Sequence, residues 1–211
     1  MLKRILERAR EHHSLVLGVL QTLFAGIIRL TLLLPFRAFG IPREGLRIRH
    51  LETYLLATTL LILSLLLLST GWIAAGWVLV AVGGLRILQI ISLNAMSLLF
   101  GLRLLSSGVS EKERARWHFV AILFSVFDVL MIYGFLYWFF NRLYGILNIY
   151  PESFFDHFYY AMITLMTVGY GDIVPIHPLG KFLAMSEAFM GVFLFVFLVN
   201  AAMGRLLRHS E

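Results

Sequence analysis

The run Thr167-Val168-Gly169-Tyr170-Gly171-Asp172 decides how this chain is read. Gly169 and Gly171 stand two apart, and glycines so placed let a backbone adopt conformations closed to residues with side chains. Successive carbonyls of such a strand can then turn toward one axis. Just upstream, Phe158, Tyr159, Tyr160, Met162, Ile163 and Leu165 form a mostly apolar and aromatic set suited to a buried helix. Pro151 and Ser153 or Asp156 mark its start, with Asp156 as the N-terminal cap. The helix must end near Met166, because the glycines that follow are poor helix residues. Residues 151–179 as a whole are too polar and too broken by Pro and Gly to cross a membrane. They predict a re-entrant element between two spanning helices.

Working outward, the 211 residues are 60% hydrophobic and only 14% charged, with a mean hydropathy of +0.85. A soluble domain of this length needs more polar surface, so lipid is the expected solvent. Five apolar blocks stand out at 14–34, 51–69, 71–105, 117–140 and 180–204. Each should be helical, because lipid leaves no water to satisfy open backbone groups. The expected fold class is an all-α membrane protein, multi-pass and placed in the cell membrane. The formal charge of +6 comes from Arg and Lys between the apolar runs, as where basic loops face the cytoplasm. Cysteine is absent, which excludes disulfides and thiolate metal sites. Lys3, Arg4, Arg8 and Arg10 before the run from Leu15 imitate a signal peptide, but apolar residues continue to Phe36, so the segment is read as retained. No nucleophile, base and orienting group converge anywhere, so no enzyme is expected, and no nucleic-acid partner.

Residues 117–204 resemble the pore module of the tetrameric potassium channel family, nearest its voltage-gated-like branch. The order is outer helix, pore helix, the TVGYGD run, then inner helix. The resemblance implies that the carbonyls of Thr167, Val168, Gly169 and Tyr170, with the Thr167 hydroxyl, bind K⁺, and that Gly171 completes the selectivity filter. It further implies that Tyr159 and Tyr160 form an aromatic cuff which, with Asp172, holds the filter open. Asp156, Pro175, Gly180 and Lys181 also resemble the voltage-gated branch. One filter segment per chain implies a cyclic homotetramer. Transport would be passive, with no cofactor beyond the permeant K⁺ and with membrane lipids as surroundings. Two departures stand out: Met166 where a second Thr is common, and Ile163 where some bacterial channels carry a Glu behind the filter. The alternative functions are the channel-like subunit of a potassium uptake transporter, whose filters are degraded, or a less selective cation channel.

Glu187 and Gly191 each carry two readings. Glu187 is an ionisable residue inside a spanning helix, which costs about 3 kcal/mol on insertion scales unless paired or hydrated. It is either a brace bonded to the pore helix, behind the filter, or a proton-sensitive gate. Gly191 has the spacing from Asp172 of the family's inner-helix gating hinge, and a packing glycine is the equal rival. Asp128 poses the burial question again in the outer helix. His157 and His177 are expected at the outer mouth as solvated side chains. The Phe residues at 189, 193, 195 and 197 are expected on lipid-facing and subunit-packing surface, and Arg205 and Arg208 at lipid head groups.

The chain therefore divides into an N-terminal transmembrane region at 1–105, a cytoplasmic linker at 106–116, and a pore domain at 117–211. Only a short tail follows Gly204, so no cytoplasmic ligand-sensing domain is expected. The favoured arrangement has six spanning helices, with breaks near Ser69-Thr70-Gly71 and Gly83-Gly84. Its fourth helix, 85–105, would carry Arg86, Gln89 and Ser92 at three-residue spacing, like a degenerate voltage sensor. The alternative has four spanning helices and lays 14–34 in the interface; a third version has five crossings. Arg86 and Arg103 are the only charges of that sensor-like helix. Moving one charge through the field is worth about 2.3 kcal/mol per 100 mV, so voltage gating should be weak or absent.

Overall fold

A computed structural model of the chain describes residues 15–28, 73–100, 111–150 and 153–206. Every regular element within them is a helix: α1 (Leu15–Ile28), α2 (Ile73–Phe100), α3 (Glu111–Tyr144), α4 (Phe154–Leu165) and α5 (Pro178–Leu206). Three stretches are long and apolar enough to cross a membrane: Ile73–Ala95, Phe119–Tyr144 and Pro178–Val199. The chain is an all-α membrane protein. The block at 51–69, the loop at 35–50, Arg103 and Arg208 lie outside the described residues, as does the side chain of Arg205.

The break expected at Gly83-Gly84 is not there. α2 runs through both glycines without interruption, so a separate helix beginning at residue 85 is corrected to the continuation of α2. In lipid the backbone has no water to turn to, and glycine does not end a helix as it would in a loop. Gly83 also has a packing reason, since a Cβ there would come 3.0 Å from Ile132 Cγ2. A second difference concerns the linker. α3 already begins at Glu111, inside the stretch read as linker, where Glu, Lys, Arg and Ala are strong helix formers.

The boundary between two compact units falls inside α2, at Gly83 and Gly84. In the unit that holds α1, Thr22 Oγ1 donates to Gly18 O at 2.8 Å. Three polar side chains of its part of α2 donate within the helix. Arg86 Nη1 donates to Gln89 Oε1 at 2.9 Å, Ser92 Oγ to Leu88 O at 2.7 Å, and Asn94 Nδ2 to Ile90 O at 2.8 Å.

The other unit holds α3, α4 and α5, packed on one another. Its core is aromatic. Phe135 and Phe139 stack at 5.5 Å, Tyr137 meets Tyr160 edge-on at 4.8 Å, and Trp77 meets Phe139 edge-on at 5.4 Å. Ile122, Val129, Ile163, Leu165, Met190 and Leu194 are buried among them. Gly145, at φ +58, ends α3, and its N–H donates to Asn141 O at 2.8 Å, a left-handed helix stop suited to glycine. The segment beyond it then runs against the chain that follows residue 172, bridging Leu147 to Pro175.

α4 starts differently from expectation. Ser153, not Asp156, is the N-cap; its extended backbone lets Oγ accept from the Asp156 N–H at 3.3 Å. Asp156 lies inside the first turn, where a negative charge favours the helix dipole. Ser153→Ala should lower stability by about 1 kcal/mol, read as a shift in thermal unfolding of the purified protein. A loss under a quarter of that would deny Ser153 the capping role.

Candidate ion pathway

α4 ends at Leu165, and Met166 caps it. The chain then reverses handedness at alternate residues. Thr167 has φ +57, Gly169 +56 and Gly171 +82, while Val168 and Tyr170 keep negative φ. Alternating left- and right-handed residues turns successive peptide planes the same way, with N–H groups along one side and carbonyls along the other. The N–H side faces α4. Thr167 N donates to Thr164 O at 3.0 Å, and Val168 N and Gly169 N both donate to Ile163 O, at 2.8 and 3.2 Å. The carbonyl edge is therefore the one turned away from the pore helix, and residues 167–172 are exposed in the single chain. Sequence reasoning identified both glycines but not Thr167, a non-glycine residue held in a region that costs about 1–2 kcal/mol.

Behind this strand the expected supports divide. Tyr159 Oη donates to Asp172 Oδ2 at 3.0 Å, tying the far end of the strand to α4. Tyr160 is turned inward instead, buried against Tyr137. Ile163 supplies the backbone oxygen that the Val168 and Gly169 N–H groups share, so its position behind the strand is filled through the main chain. Met166 is exposed.

Glu187 is fully buried, at 0% exposure. Its expected partner was the pore helix; the observed one is the outer helix, where Tyr137 Oη donates to Oε2 at 2.7 Å. Oε1 has no hydrogen-bond partner. One residue earlier, Ser186 Oγ donates to Leu183 O at 2.8 Å, so the Tyr133 hydroxyl donates to Ser186 Oγ at 3.0 Å. Two tyrosines of α3 thus latch consecutive residues of α5. Asp128 is also buried.

Gly191 packs. A Cβ at this position would overlap the carbonyl oxygen of Leu165, so α5 crosses the end of the pore helix at a point only glycine fits. Gly180 makes a similar approach, where a Cβ would lie 2.7 Å from Ile146 O.

The two histidines differ from each other, and only His157 departs from expectation. His177 is exposed and accepts from the Leu179 N–H at 3.2 Å. His157 is not solvated: it has 0% exposure and is held by Asn141 and Ser153. Burial is favoured because the ring completes the hydrogen bonding of a buried amide. The phenylalanines of α5 are also split. Phe189 and Phe195 are exposed, while Phe197 is buried and meets Phe193 at 4.5 Å. The sequence reading passed over Asn141, Asn148 and Tyr137. A polar amide within an apolar helix was the available signal for Asn141.

Comparison with known proteins follows this geometry. A family model described as "Ion channel" matches residues 125–208. In that region the chain is similar to ion channels. The chain is also similar to potassium channels: 42% identity over 41 residues with the "Voltage-gated potassium channel" of Aeropyrum pernix, covering 19% of this chain and 14% of that protein. The "Inward rectifier potassium channel Kirbac3.1" of Paramagnetospirillum magnetotacticum is also 42% identical, over 45 residues, covering 21% of this chain and 15% of that one. The chain thus spans a small part of the length of each relative it matches. No solved structure matches.

Proposed function

We propose that this chain is one subunit of a potassium-selective channel of the cell membrane, in which four copies surround the exposed edge of residues 167–171. The observation that carries this reading is the alternation of φ at Thr167, Gly169 and Gly171, with the filter N–H groups bonded to α4. Four such strands would stack rings of carbonyl oxygens able to replace the hydration shell of K⁺. Thr167, Val168, Gly169 and Tyr170 supply those oxygens, and Tyr159 and Asp172 hold the outer end.

The free surface of α5 supports assembly of identical copies. Phe182, Met185, Phe189, Val192, Val196 and Val199 recur at three- and four-residue spacing and are all exposed, Met185 at 72% and Phe189 at 73%. One helical face this apolar suits contact with further chains around an axis. Tyr170, 72% exposed, would be covered in the same way. Voltage dependence is weak or absent in this reading, because Arg86 is buried and bonded to Gln89 and few other charges accompany it.

Reconstitution into planar bilayers under a K⁺/Na⁺ gradient tests the proposal. Currents should reverse near the K⁺ equilibrium potential across a wide voltage range, and cross-linking should stop at four chains. A reversal potential near zero would sink the selectivity claim.

A further inference from the structure

Asn141, at the end of α3, is 3% exposed, and its amide has one possible orientation. Oδ1 accepts from the Leu147 N–H at 2.8 Å, which only the oxygen can do. Nδ2 donates to Ile149 O at 3.0 Å, which only the nitrogen can do. The same Nδ2 lies 2.9 Å from His157 Nε2. That ring nitrogen must accept, so it carries no proton. The other, Nδ1, lies 2.6 Å from Ser153 O and must donate. A fully buried imidazole is therefore fixed as one neutral tautomer by its surroundings.

A proton added at Nε2 sets one N–H against another. Turning the Asn141 amide offers its oxygen to the ring, but then places NH₂ against the Leu147 N–H and oxygen against the Ile149 carbonyl. Either way the segment at 146–149 loses bonds. That segment holds the chain leaving the filter. Ile146 O accepts from Ile176 N at 3.0 Å. Asn148 Oδ1 accepts from Val174 N at 2.8 Å, and Asn148 Nδ2 donates to Asp172 O at 3.3 Å.

Resting on the channel reading above, we propose that Asn141 and neutral His157 position the outer end of the filter, and that proton uptake by His157 loosens it and lowers K⁺ conduction. Burial pushes the imidazole pKa below its ordinary value, against the Ser153 carbonyl and Asp156, which pull it upward. Arg142, next to Asn141 on α3, turns its guanidinium over the Trp138 ring at 5.7 Å. On α5, Glu187 is engaged by Tyr137. Residues 145–150 carry no charged side chain. With the folded pKa below the unfolded one, the contribution of His157 to stability is fully present above about pH 6.5. It declines as pH falls below that value.

The test records wild-type and His157→Gln channels in bilayers while the outer solution is taken from about pH 8 to about pH 5. Wild-type current should fall at least about two-fold, and the variant should stay flat. A variant that conducts K⁺ and keeps the wild-type acid block overturns the inference and leaves the channel reading standing. If no K⁺ current is seen in either, the channel reading fails, and hydrogen exchange at the Leu147 amide of purified protein still decides the pair. Its protection, corrected for intrinsic rates, should drop about tenfold at acid pH in the wild type only; equal protection at both pH values overturns the inference. Should His157→Gln fail to fold, Asn141→Asp replaces it. A carboxylate accepts from protonated Nε2, so protonation no longer sets one N–H against another and the acid block should disappear; a block like that of the wild type overturns the inference.

Discussion

Tyr137→Phe should destabilise the protein by about 3 kcal/mol, although it removes a single oxygen and leaves no cavity of note. Tyr137 and Glu187 are both fully buried, and among the described residues the 2.7 Å bond from Tyr137 Oη is the only one that the Glu187 carboxyl makes. Without it, a carboxyl in an apolar helix bundle has no partner, and desolvation goes uncompensated. Tyr133→Phe is the matched control. Its hydroxyl meets a neutral Ser186 that keeps its bond to Leu183 O, so the loss should be about 1 kcal/mol or less. Glu187→Leu alone strands the Tyr137 hydroxyl and should also destabilise. The double variant Tyr137→Phe/Glu187→Leu replaces both partners by apolar groups and should recover most of the loss. Thermal unfolding of the wild type and the four variants in one detergent measures the cycle and its control. Equal shifts for Tyr133→Phe and Tyr137→Phe, or an additive double variant, would remove the latch from the account.

The latch shows what a sequence can and cannot reveal in such a chain. The strand at 167–172 was legible because its geometry is local: two glycines two apart, after an aromatic helix and before an apolar one, leave few structures open. The end of α4 at Met166 was legible for the same reason. Thr167 was not, because a positive φ at a residue with a side chain arises from the bond its own N–H makes to Thr164 and those its neighbours make to Ile163. Glu187 stood out as an ionisable residue in a spanning helix, but its partner lies 50 residues away along the chain. Spacing within one helix cannot name it. His157 was misplaced in solvent because polarity near a loop suggests exposure, whereas Asn141, 16 residues earlier, gives the ring a buried partner. Gly83-Gly84 misled in the opposite sense. Glycine pairs punctuate chains in water, and inside lipid the intrahelical bonds hold regardless.

Gly191→Ala should lower stability by about 3 kcal/mol and disturb ion selection together, because both depend on one carbonyl. The added methyl would overlap Leu165 O. That atom is backbone, at the last residue of α4, and cannot rotate aside as a side-chain terminus would. Relief requires either α5 to retreat or Leu165 to move. Moving Leu165 carries Met166 and Thr167 with it, and Thr167 begins the strand whose N–H groups bond to Thr164 and Ile163. Gly84→Ala provides the comparison within the same chain. It sits mid-helix in α2 with nothing within 4 Å of its added Cβ, so the change should stay within about 1 kcal/mol and favour the variant. Unfolding midpoints and K⁺/Na⁺ reversal potentials of both variants read the two consequences. A hinge whose only need is flexibility predicts another pattern: altered opening and closing rates at Gly191→Ala, with stability and selectivity intact. That pattern would defeat the packing account, because a methyl group placed on a main-chain oxygen has to displace one helix or the other.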